Sequence, residues 1–216
     1  MATAQALEPA IALSRAALAP MTDTLPETPV VAATLDSKVA AARRGDADAF
    51  VDLFLASERR LRLLAFGVLR DPDSVDDALQ ETALRAFRGL GRFRGEAQLA
   101  TWLHRITVHV CLDMLAQAQR QAGLAQRMRP AQTVAAPPEA ALDGQRRLSA
   151  ALARLSPQQR AVVAVVLQLG FDTESAAAIL EIPRGTVASR LHAARQALMA
   201  ALASQEELEC GTTLTS

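Results

Sequence analysis

The stretch that decides the fold of this chain is Gly170-Phe-Asp-Thr-Glu-Ser-Ala-Ala-Ala-Ile-Leu-Glu-Ile-Pro-Arg-Gly-Thr-Val-Ala-Ser-Arg190. Asp172 can cap a short helix over Thr173–Leu180, because its carboxylate can accept a hydrogen bond from an amide N–H that the first turn leaves free. Residues 181–183 predict a turn, since Pro183 disfavours helical geometry at the residue before it and suits the start of a new helix. With a second helix from about residue 184 to residue 202, the pattern is a helix-turn-helix. Alone, it fits DNA binding or an ordinary helical hairpin.

The composition of the whole chain favours an all-α fold. Half of the 216 residues are apolar, aromatic residues make up 3%, and tyrosine is absent. Helical periodicity runs through residues 36–118 and 144–202, whereas residues 119–143 are rich in Gln, Ala, Arg and Pro. We therefore predict two small helical domains joined by a flexible linker, the second of which carries the helix-turn-helix. Residues 1–35 are predicted to be a mostly disordered leader, and residues 203–216 a polar, acidic tail.

Capping residues mark several helix boundaries in both domains. Asp46 is placed to cap a long amphipathic helix, and Gly45 ends the short helix before it. Ser156 and Pro157 supply a cap and a first-turn proline for a strongly apolar helix. Besides the helix that Asp46 caps, the periodicity predicts helices over residues 37–44, 74–90, 99–118, 148–155 and 157–169.

The net charge of the chain is zero, which at first argues against a nucleic-acid partner. The charges are unevenly placed, however. Residues 144–202 hold seven arginines and three acidic residues, whereas residues 203–216 hold three acidic residues and no basic one. A protein that binds DNA strongly by itself is usually more basic. The distribution fits a subunit that reads DNA only within a larger assembly.

The sequence offers little chemistry for catalysis. It has no glycine-rich phosphate loop and no nucleophile elbow. His104, His109 and Cys111 are close in sequence, but no fourth metal ligand is evident. We therefore expect no enzymatic activity, no cofactor, no metal and no small-molecule substrate. Cys111 and Cys210 are far apart, which makes a disulfide unexpected and a reducing cytoplasm the default location. No run of about 18 apolar residues occurs, so membrane insertion is not expected.

Two blocks of sequence carry a family resemblance. The first is residues 69–88, LRDPDSVDDALQETALRAFR, followed by Phe93-Arg-Gly95 and Thr101-Trp-Leu-His-Arg-Ile106. The second is Leu155-Ser-Pro-Gln-Gln-Arg160 followed by residues 170–195. In this order and spacing, the blocks resemble bacterial RNA polymerase sigma factors of the sigma-70 family, in the extracytoplasmic-function (ECF) group. The resemblance implies a promoter-specificity subunit, responsive to a stress or environmental signal, whose partners are core RNA polymerase, promoter DNA and an anti-sigma factor.

The resemblance assigns polymerase binding to one face of the helix at residues 74–90. Asp77 and Glu81 are four residues apart and therefore share a surface of that helix. The residues that match the family's docking face are Asp76, Asp77, Gln80, Glu81 and Arg85. Without the resemblance, the same acidic residues would indicate only a solvated face with favourable charges near the helix N-terminus.

The resemblance also assigns the DNA contacts. The −10 element would be bound by Arg92, Phe93, Arg94, Arg105 and His109. The −35 element would be bound by Arg184, Thr186, Ser189, Arg190 and Arg195. Phe93 suits a place in the core equally well, and Trp102 is expected in the core. The family usually has Asn where His109 stands, a basic pair near residues 114–116 and a basic residue where Ala188 stands, so an altered promoter preference is expected.

Two alternatives remain open on the sequence alone. A stand-alone transcriptional regulator would use only the helix-turn-helix, but it leaves the acidic motif at residues 76–81 unexplained. A sigma-like interaction protein would dock on polymerase or capture an anti-sigma factor without reading promoters. The missing basic residues near 114–116 and at Ala188 keep this second alternative open.

Overall fold

The computed structural model describes residues 37–93, 98–128 and 143–212, and within these ranges the chain forms helices and turns without a strand. The all-α prediction is therefore confirmed. The helices are α1 (37–43), α2 (Ala47–Leu69), α3 (Asp73–Leu90), α4 (Leu99–Met128), α5 (Asp143–Ala153), α6 (Pro157–Val163), α7 (Thr173–Leu180) and α8 (Arg184–Thr212). The predicted leader at 1–35 lies outside the described residues, as do residues 129–142 of the predicted linker.

Helices α2, α3 and α4 pack on one another and form the first helical unit. On α2, Leu61, Leu64 and Val68 are fully buried and lie three or four residues apart, so one stripe of the helix faces the core. Leu103 and Val110 of α4 close the same core. Each fully buried side chain of this kind stabilises the fold by about 1.5–3 kcal/mol relative to exposure. The core thereby fixes which sides of α3 and α4 remain at the surface.

Helices α5 to α8 form the second unit, in which α8 is the longest element. Val187 and Leu191 of α8 pack with Ile179 of α7 in the main core. A smaller apolar cluster joins α8 to the start of the unit, through Ala151, Leu155, Ala194 and Leu198. Buried residues of α8 thus recur every three or four positions, which leaves its opposite side at the surface.

The predicted caps are confirmed at the atomic level. The Asp46 carboxylate accepts a hydrogen bond from the Ala49 amide at 3.1 Å and begins α2. Ser156 and Gln159 form a reciprocal capping box at the start of α6, where Pro157 occupies the first turn. These contacts involve residues three positions apart, and that is why the sequence alone predicts them.

Four helices differ from the sequence prediction. The helix predicted over 148–155 is α5, which begins earlier, at Asp143, and ends at Ala153. α4 continues to Met128, so residues 119–128 are helical rather than the beginning of the linker. Gln, Ala, Arg and Leu are good helix formers, and the single Gly123 costs only about 1 kcal/mol relative to Ala. α8 likewise continues to Thr212, beyond the expected end at residue 202. The helix predicted over 157–169 changes to π-helical geometry at Ala164–Gln168, which apolar periodicity does not reveal.

The two helical units pack directly against each other. α2 lies against α6 and the π-helical segment, and α4 lies against α7. Buried residues of both units consequently belong to one continuous apolar cluster. α4 takes part in the packing of both units and lies between the first core and the helix-turn-helix.

His104 on α4 is one of the polar groups that this packing buries. It is 1% exposed, and its Nδ1 is hydrogen-bonded to the Ala100 carbonyl one turn earlier in the helix. Burial lowers the pKa of His104 from 6.5 to about 4, and the nearby charge of Arg60 acts in the same direction. His104 is therefore neutral in the folded protein at neutral pH.

This burial predicts a specific loss of stability in acid. An unfolded histidine takes up a proton near pH 6.5, whereas folded His104 does so only near pH 4, so the unfolded state binds more protons between these values. We expect the free energy of unfolding to fall by about 2 kcal/mol between pH 7 and pH 5 because of His104. Urea unfolding should show this loss in the wild type and in the exposed-site control His192→Gln, but not in His104→Gln. Equal acid losses in all three proteins would contradict the prediction.

Candidate functional site

The helix-turn-helix is built by local hydrogen bonds around α7. The Asp172 carboxylate accepts a hydrogen bond from the Ser175 amide at 2.7 Å and begins the helix. That hydrogen bond is the main reason why the pKa of Asp172 lies below its usual value. Glu181 ends α7 in the left-handed conformation, with φ of 52°. The Pro183 carbonyl then accepts the Thr186 amide at 2.8 Å, and α8 begins.

All five residues predicted to contact the −35 element lie in the first half of α8. Its buried stripe of Val187 and Leu191 holds the helix against the core and turns the other sides outward. The predicted residues comprise three exposed ones, Arg184, Ser189 and Arg195, and two half-buried ones, Thr186 and Arg190. No acidic residue occurs between positions 184 and 200, so this surface carries net positive charge. Such a surface favours contact with DNA phosphates and base edges.

The face of α3 predicted to dock on polymerase is exposed but partly neutralised by neighbouring arginines. Asp77 and Gln80 are exposed. Asp76 instead forms an ion pair with Arg62 of α2, at 2.6 Å. Arg62 also pairs with Glu58, and the hydrogen bonds that Arg62 donates to Glu58 and Asp76 raise the pKa of the arginine. The acidic face is therefore tied to α2 by an ion pair at Asp76, whereas Asp77 and Gln80 remain exposed to solvent.

Arg85 lies at the far end of the same face and bridges two helices. It donates to Glu81 and to Asp113 of α4, each at 2.7 Å. These hydrogen bonds, that to Asp113 first, raise the pKa of Arg85. Because the pairs are substantially exposed, each contributes little to stability. Their effect is to hold Glu81 and Arg85 in a fixed arrangement on the surface.

This surface also has an apolar part, which the sequence did not predict. Leu84 is 50% exposed and Phe87 is 43% exposed, and both follow Gln80 on the same side of α3. Val51 and Leu55 on α2 are exposed as well. The Phe87 ring lies edge-on to Phe50, with 5.3 Å between centroids. The three- and four-residue spacing from Gln80 to Leu84 and Phe87 is the signal that could have revealed them.

The predicted −10 residues fall into two groups. Arg92 is exposed and Phe93 is half-buried at the end of α3, whereas Arg94 lies outside the described residues. The Phe93 ring packs on Trp102 with 5.2 Å between centroids, and both rings lie against the core. The core role expected for Trp102 is consistent with this packing, and Phe93 shares it.

Arg105 and His109 form the second group, and both contact the helix-turn-helix while remaining partly exposed. Arg105 Nη1 lies 3.1 Å from Glu181 Oε1, and His109 Nε2 lies 3.3 Å from Glu181 Oε2. Sequence reasoning missed this contact, because it joins residues more than 70 positions apart. One carboxylate thus bridges two of the side chains assigned to promoter DNA.

A second interdomain contact surrounds Phe171. Its ring meets His104 edge-on at 5.2 Å between centroids, and the Arg60 guanidinium lies 5.3 Å from the same ring. Arg60 also donates a hydrogen bond to the Leu169 carbonyl, at 3.4 Å. Next to the ionic contact at Glu181, the two units therefore also meet through the ring of Phe171, which packs on His104 and makes a cation–π contact with Arg60.

The side chains considered for a metal are not gathered into a site. His104 and Cys111 are buried, and burial raises the pKa of the Cys111 thiol to about 12. Within the part of the chain that the structure describes, no three His, Cys, Asp or Glu residues are placed to hold an ion.

The helices of the described ranges include none that combines the length and apolarity needed to cross a membrane.

Comparison with protein families and curated relatives identifies both units. Sigma-70 region 2 matches residues 53–121, and Sigma-70 region 4 matches residues 145–198. The ECF RNA polymerase sigma factor SigM of Mycobacterium tuberculosis is 41% identical over 156 residues, which cover 71% of this chain and 77% of SigM. The RNA polymerase sigma-H factor of Pseudomonas aeruginosa is 28% identical over 179 residues, or 74% of this chain and 89% of its own length.

Solved structures of other proteins have a fold similar to that of this chain. The sigma factor RpoE of Bartonella quintana, in complex with the anti-sigma factor NepR, superposes with a TM-score of 0.58 at 27% identity. That match covers 71% of this chain and 96% of RpoE. CnrH, in complex with the cytosolic domain of CnrY, superposes with a TM-score of 0.57 at 25% identity over 77% of this chain and 96% of CnrH. The chain therefore belongs to the ECF group of the sigma-70 family and is a promoter-specificity subunit of RNA polymerase, not an enzyme.

Proposed function

We propose that the exposed face of α3 binds core RNA polymerase, that α4 and the loop before it read the −10 element, and that α8 reads the −35 element. The observation that carries this assignment is the presence of both sigma regions in order, each with a polar surface left outside its core. In domain terms, residues 36–118 form the polymerase and −10 domain, residues 119–143 the connection and residues 144–202 the −35 domain.

The polymerase-binding surface comprises Asp76, Asp77, Gln80, Glu81 and Arg85, and we extend it to Leu84 and Phe87. Exposed acidic and amide groups give such a surface orientation and specificity, whereas exposed apolar side chains supply most of the binding free energy. Leu84 and Phe87 are apolar, and their exposure beside these polar groups is not explained by contact with water alone. The combination on α3 therefore supports binding of a protein partner.

The DNA-binding assignments rest on position and charge. For the −10 element they are Arg92, Phe93, Arg94, Arg105 and His109. For the −35 element they are Arg184, Thr186, Ser189, Arg190 and Arg195. Phe93 packs on Trp102, so its proposed role is to hold the chain in place after α3. Arg92 is exposed and is the better placed of the two to contact DNA. Ala188 is exposed on α8 between Arg184 and Arg195 and reduces the polar contacts available there.

A protein inhibitor and a cytoplasmic location complete the proposal. The similar sigma factor RpoE was solved with the anti-sigma factor NepR. We infer that an anti-sigma factor also binds this chain, and its exposed apolar residues on α2 and α3 offer a surface for it. RNA polymerase and promoter DNA are cytoplasmic, so the protein acts there.

The direct test is transcription by purified core RNA polymerase on a library of fragments from the source genome. With the protein added, we expect discrete new transcripts that start downstream of a shared two-part promoter. Without it, these transcripts should be absent. If the protein co-purifies with core enzyme yet yields no transcript, docking without promoter reading becomes the better description.

Reversal of charge at Asp77 should weaken polymerase binding. Like charges brought together at an interface cost several kcal/mol, so Asp77→Arg should lower affinity for core enzyme by about tenfold or more. Asp48→Arg makes the same charge change at an exposed position of α2 and serves as the control. Fluorescence anisotropy with labelled protein and core enzyme measures both. Equal affinities for the two variants would remove α3 from the docking surface.

Loss of Arg190 should weaken recognition of the −35 element. Removing one base or phosphate contact costs about 1–3 kcal/mol, so Arg190→Ala should reduce holoenzyme binding to promoter DNA by about 5- to 150-fold. Arg154→Ala removes an exposed arginine from the same domain and should have little effect. A filter-binding titration with the promoter found above provides the measurement. An Arg190→Ala holoenzyme that binds as tightly as the wild type would favour a sigma-like protein that does not read DNA through α8.

A further inference from the structure

A cleft on the surface of the first unit lies between the end of α1 and the end of α3. It is lined by Ala40, Arg43 and Arg44 of α1 and the turn after it, and by Gly91, which directly follows α3. Its volume is about 310 Å³. One water occupies about 30 Å³ in the liquid, so the cleft admits a small polar group together with several waters. All of its lining residues belong to the first unit.

Four exposed arginines gather at this cleft. Arg43 and Arg44 line it, whereas Arg88 and Arg92 lie within one helical turn of Gly91 along the chain. Within the described ranges, none of the four forms an ion pair, unlike the arginines that pair with the acidic face of α3. We call these four arginines and Gly91 the arginine cleft.

The electrostatics of helix ends explain only part of this clustering. The C-terminus of a helix carries about half of a negative charge, which favours arginines in and after the last turn. Since α1 and α3 both end at the arginine cleft, their two ends together offset about one of the four positive charges. Roughly three positive charges are therefore left uncompensated by helix ends.

The acidic residues nearest in sequence do not compensate these charges either. The Asp46 carboxylate is used at the start of α2, where it accepts a hydrogen bond from the Ala49 amide at 3.1 Å. Asp52 pairs with Lys38 at 2.7 Å. Asp48 is exposed on the first turn of α2, and none of these three carboxylates lines the cleft. The guanidinium groups are therefore available to an anion from outside the domain.

The chemistry of the arginine cleft suits a phosphate group. A guanidinium donates hydrogen bonds in a planar fork that matches phosphate oxygens, and it stays charged at every physiological pH. Arg43 and Arg88 come from separate helices, so a phosphate held between them would touch both elements. Arg92 is proposed above to contact the −10 element. A DNA strand has a phosphate on each side of any nucleotide that Arg92 contacts, and one of these lies towards the cleft.

From these observations, we propose that the arginine cleft is a binding site for a phosphate group. Its place beside Arg92 favours a backbone phosphate of the DNA strand at the −10 element, and a free polyphosphate has the same chemistry. The proposal adds Arg43, Arg44 and Arg88 to the ligand-binding residues of the chain. For the DNA source, it rests on the −10 assignment of Arg92.

Gly91 allows the site to be blocked without disturbing the fold. Its φ of −60° suits any residue, and a Cβ atom there meets nothing within 4 Å. Gly91→Glu therefore places a carboxylate beside the arginines, whereas Gly91→Gln places an uncharged group of the same size there. Arg43→Gln combined with Arg44→Gln removes two charges directly. Arg154→Gln changes an exposed arginine of the other unit and is its control.

The DNA source is tested with holoenzyme and a fluorescein-labelled fragment of the promoter found by transcription, with its −10 element left single-stranded. We expect Gly91→Glu to bind about fivefold more weakly or worse, because one phosphate contact is lost, and Gly91→Gln to bind like the wild type. The slope of log affinity against log salt should also fall in magnitude by about 0.7 for each phosphate lost from a single strand. A purely structural defect would not change this slope.

The free source is tested with inorganic pyrophosphate and the full-length protein alone. Isothermal titration calorimetry should show binding to the wild type and to Gly91→Gln, and a loss of at least fivefold in Gly91→Glu. If this loss occurs while the salt slope for DNA is the same in all variants, the phosphate site is supported and its ligand is a free polyphosphate rather than DNA.

The outcomes separate this proposal from the proposed function. If Gly91→Glu equals Gly91→Gln with both DNA and pyrophosphate, the arginine cleft is not a phosphate site. Equal losses in the two variants would also overturn the proposal, because the added bulk rather than the charge would then be responsible. If the wild type directs no transcription with core enzyme, the proposed function fails instead, while the pyrophosphate titration still decides whether the cleft binds phosphate.

Discussion

The packing of α4 between two sets of helices is the constraint on which the rest of the structure depends. One side of α4 supplies Leu103 and Val110 to the core of the first unit, and another side receives the end of α7. A helix that serves both must present apolar side chains inward and polar ones towards its second neighbour. Arg105 and His109 satisfy the second requirement by pairing with Glu181. The same two side chains are among those proposed to contact the −10 element.

The zero net charge of this protein is compatible with DNA binding because its basic and acidic residues are unevenly placed along the chain. The first half of α8 is basic and free of acidic residues, so it can approach phosphates. The acidic groups of α3 are placed on a different helix, where they pair with Arg62 and Arg85 or remain exposed. Uniform excess of basic residues would bind DNA without selecting a site. A neutral chain with separated charges therefore fits the proposal that this protein reads DNA as part of the polymerase assembly.

Much of the fold could be predicted from sequence because its boundaries are set by neighbouring residues. Asp46, Ser156 and Asp172 each cap a helix through an amide three positions ahead, and such spacing is visible without a structure. The contact of Glu181 with Arg105 could not be foreseen, because it depends on how two domains pack rather than on any local pattern. The exposure of Leu84 depends in the same way on which side of α3 the core covers. The sequence could therefore predict which residues belong to the site, but not which side chains they contact.

The exposed surface of α3 is independent of the contact between the two units. Asp77, Gln80 and Leu84 remain exposed while Glu181 contacts α4, so a partner can bind α3 without disturbing that contact. A partner shifts an equilibrium between two arrangements of a protein only by the difference in its affinity for them. A partner that contacted α3 alone would therefore leave the packing of α4 against α7 unchanged. A partner that altered this packing would also have to contact α4 or the helix-turn-helix.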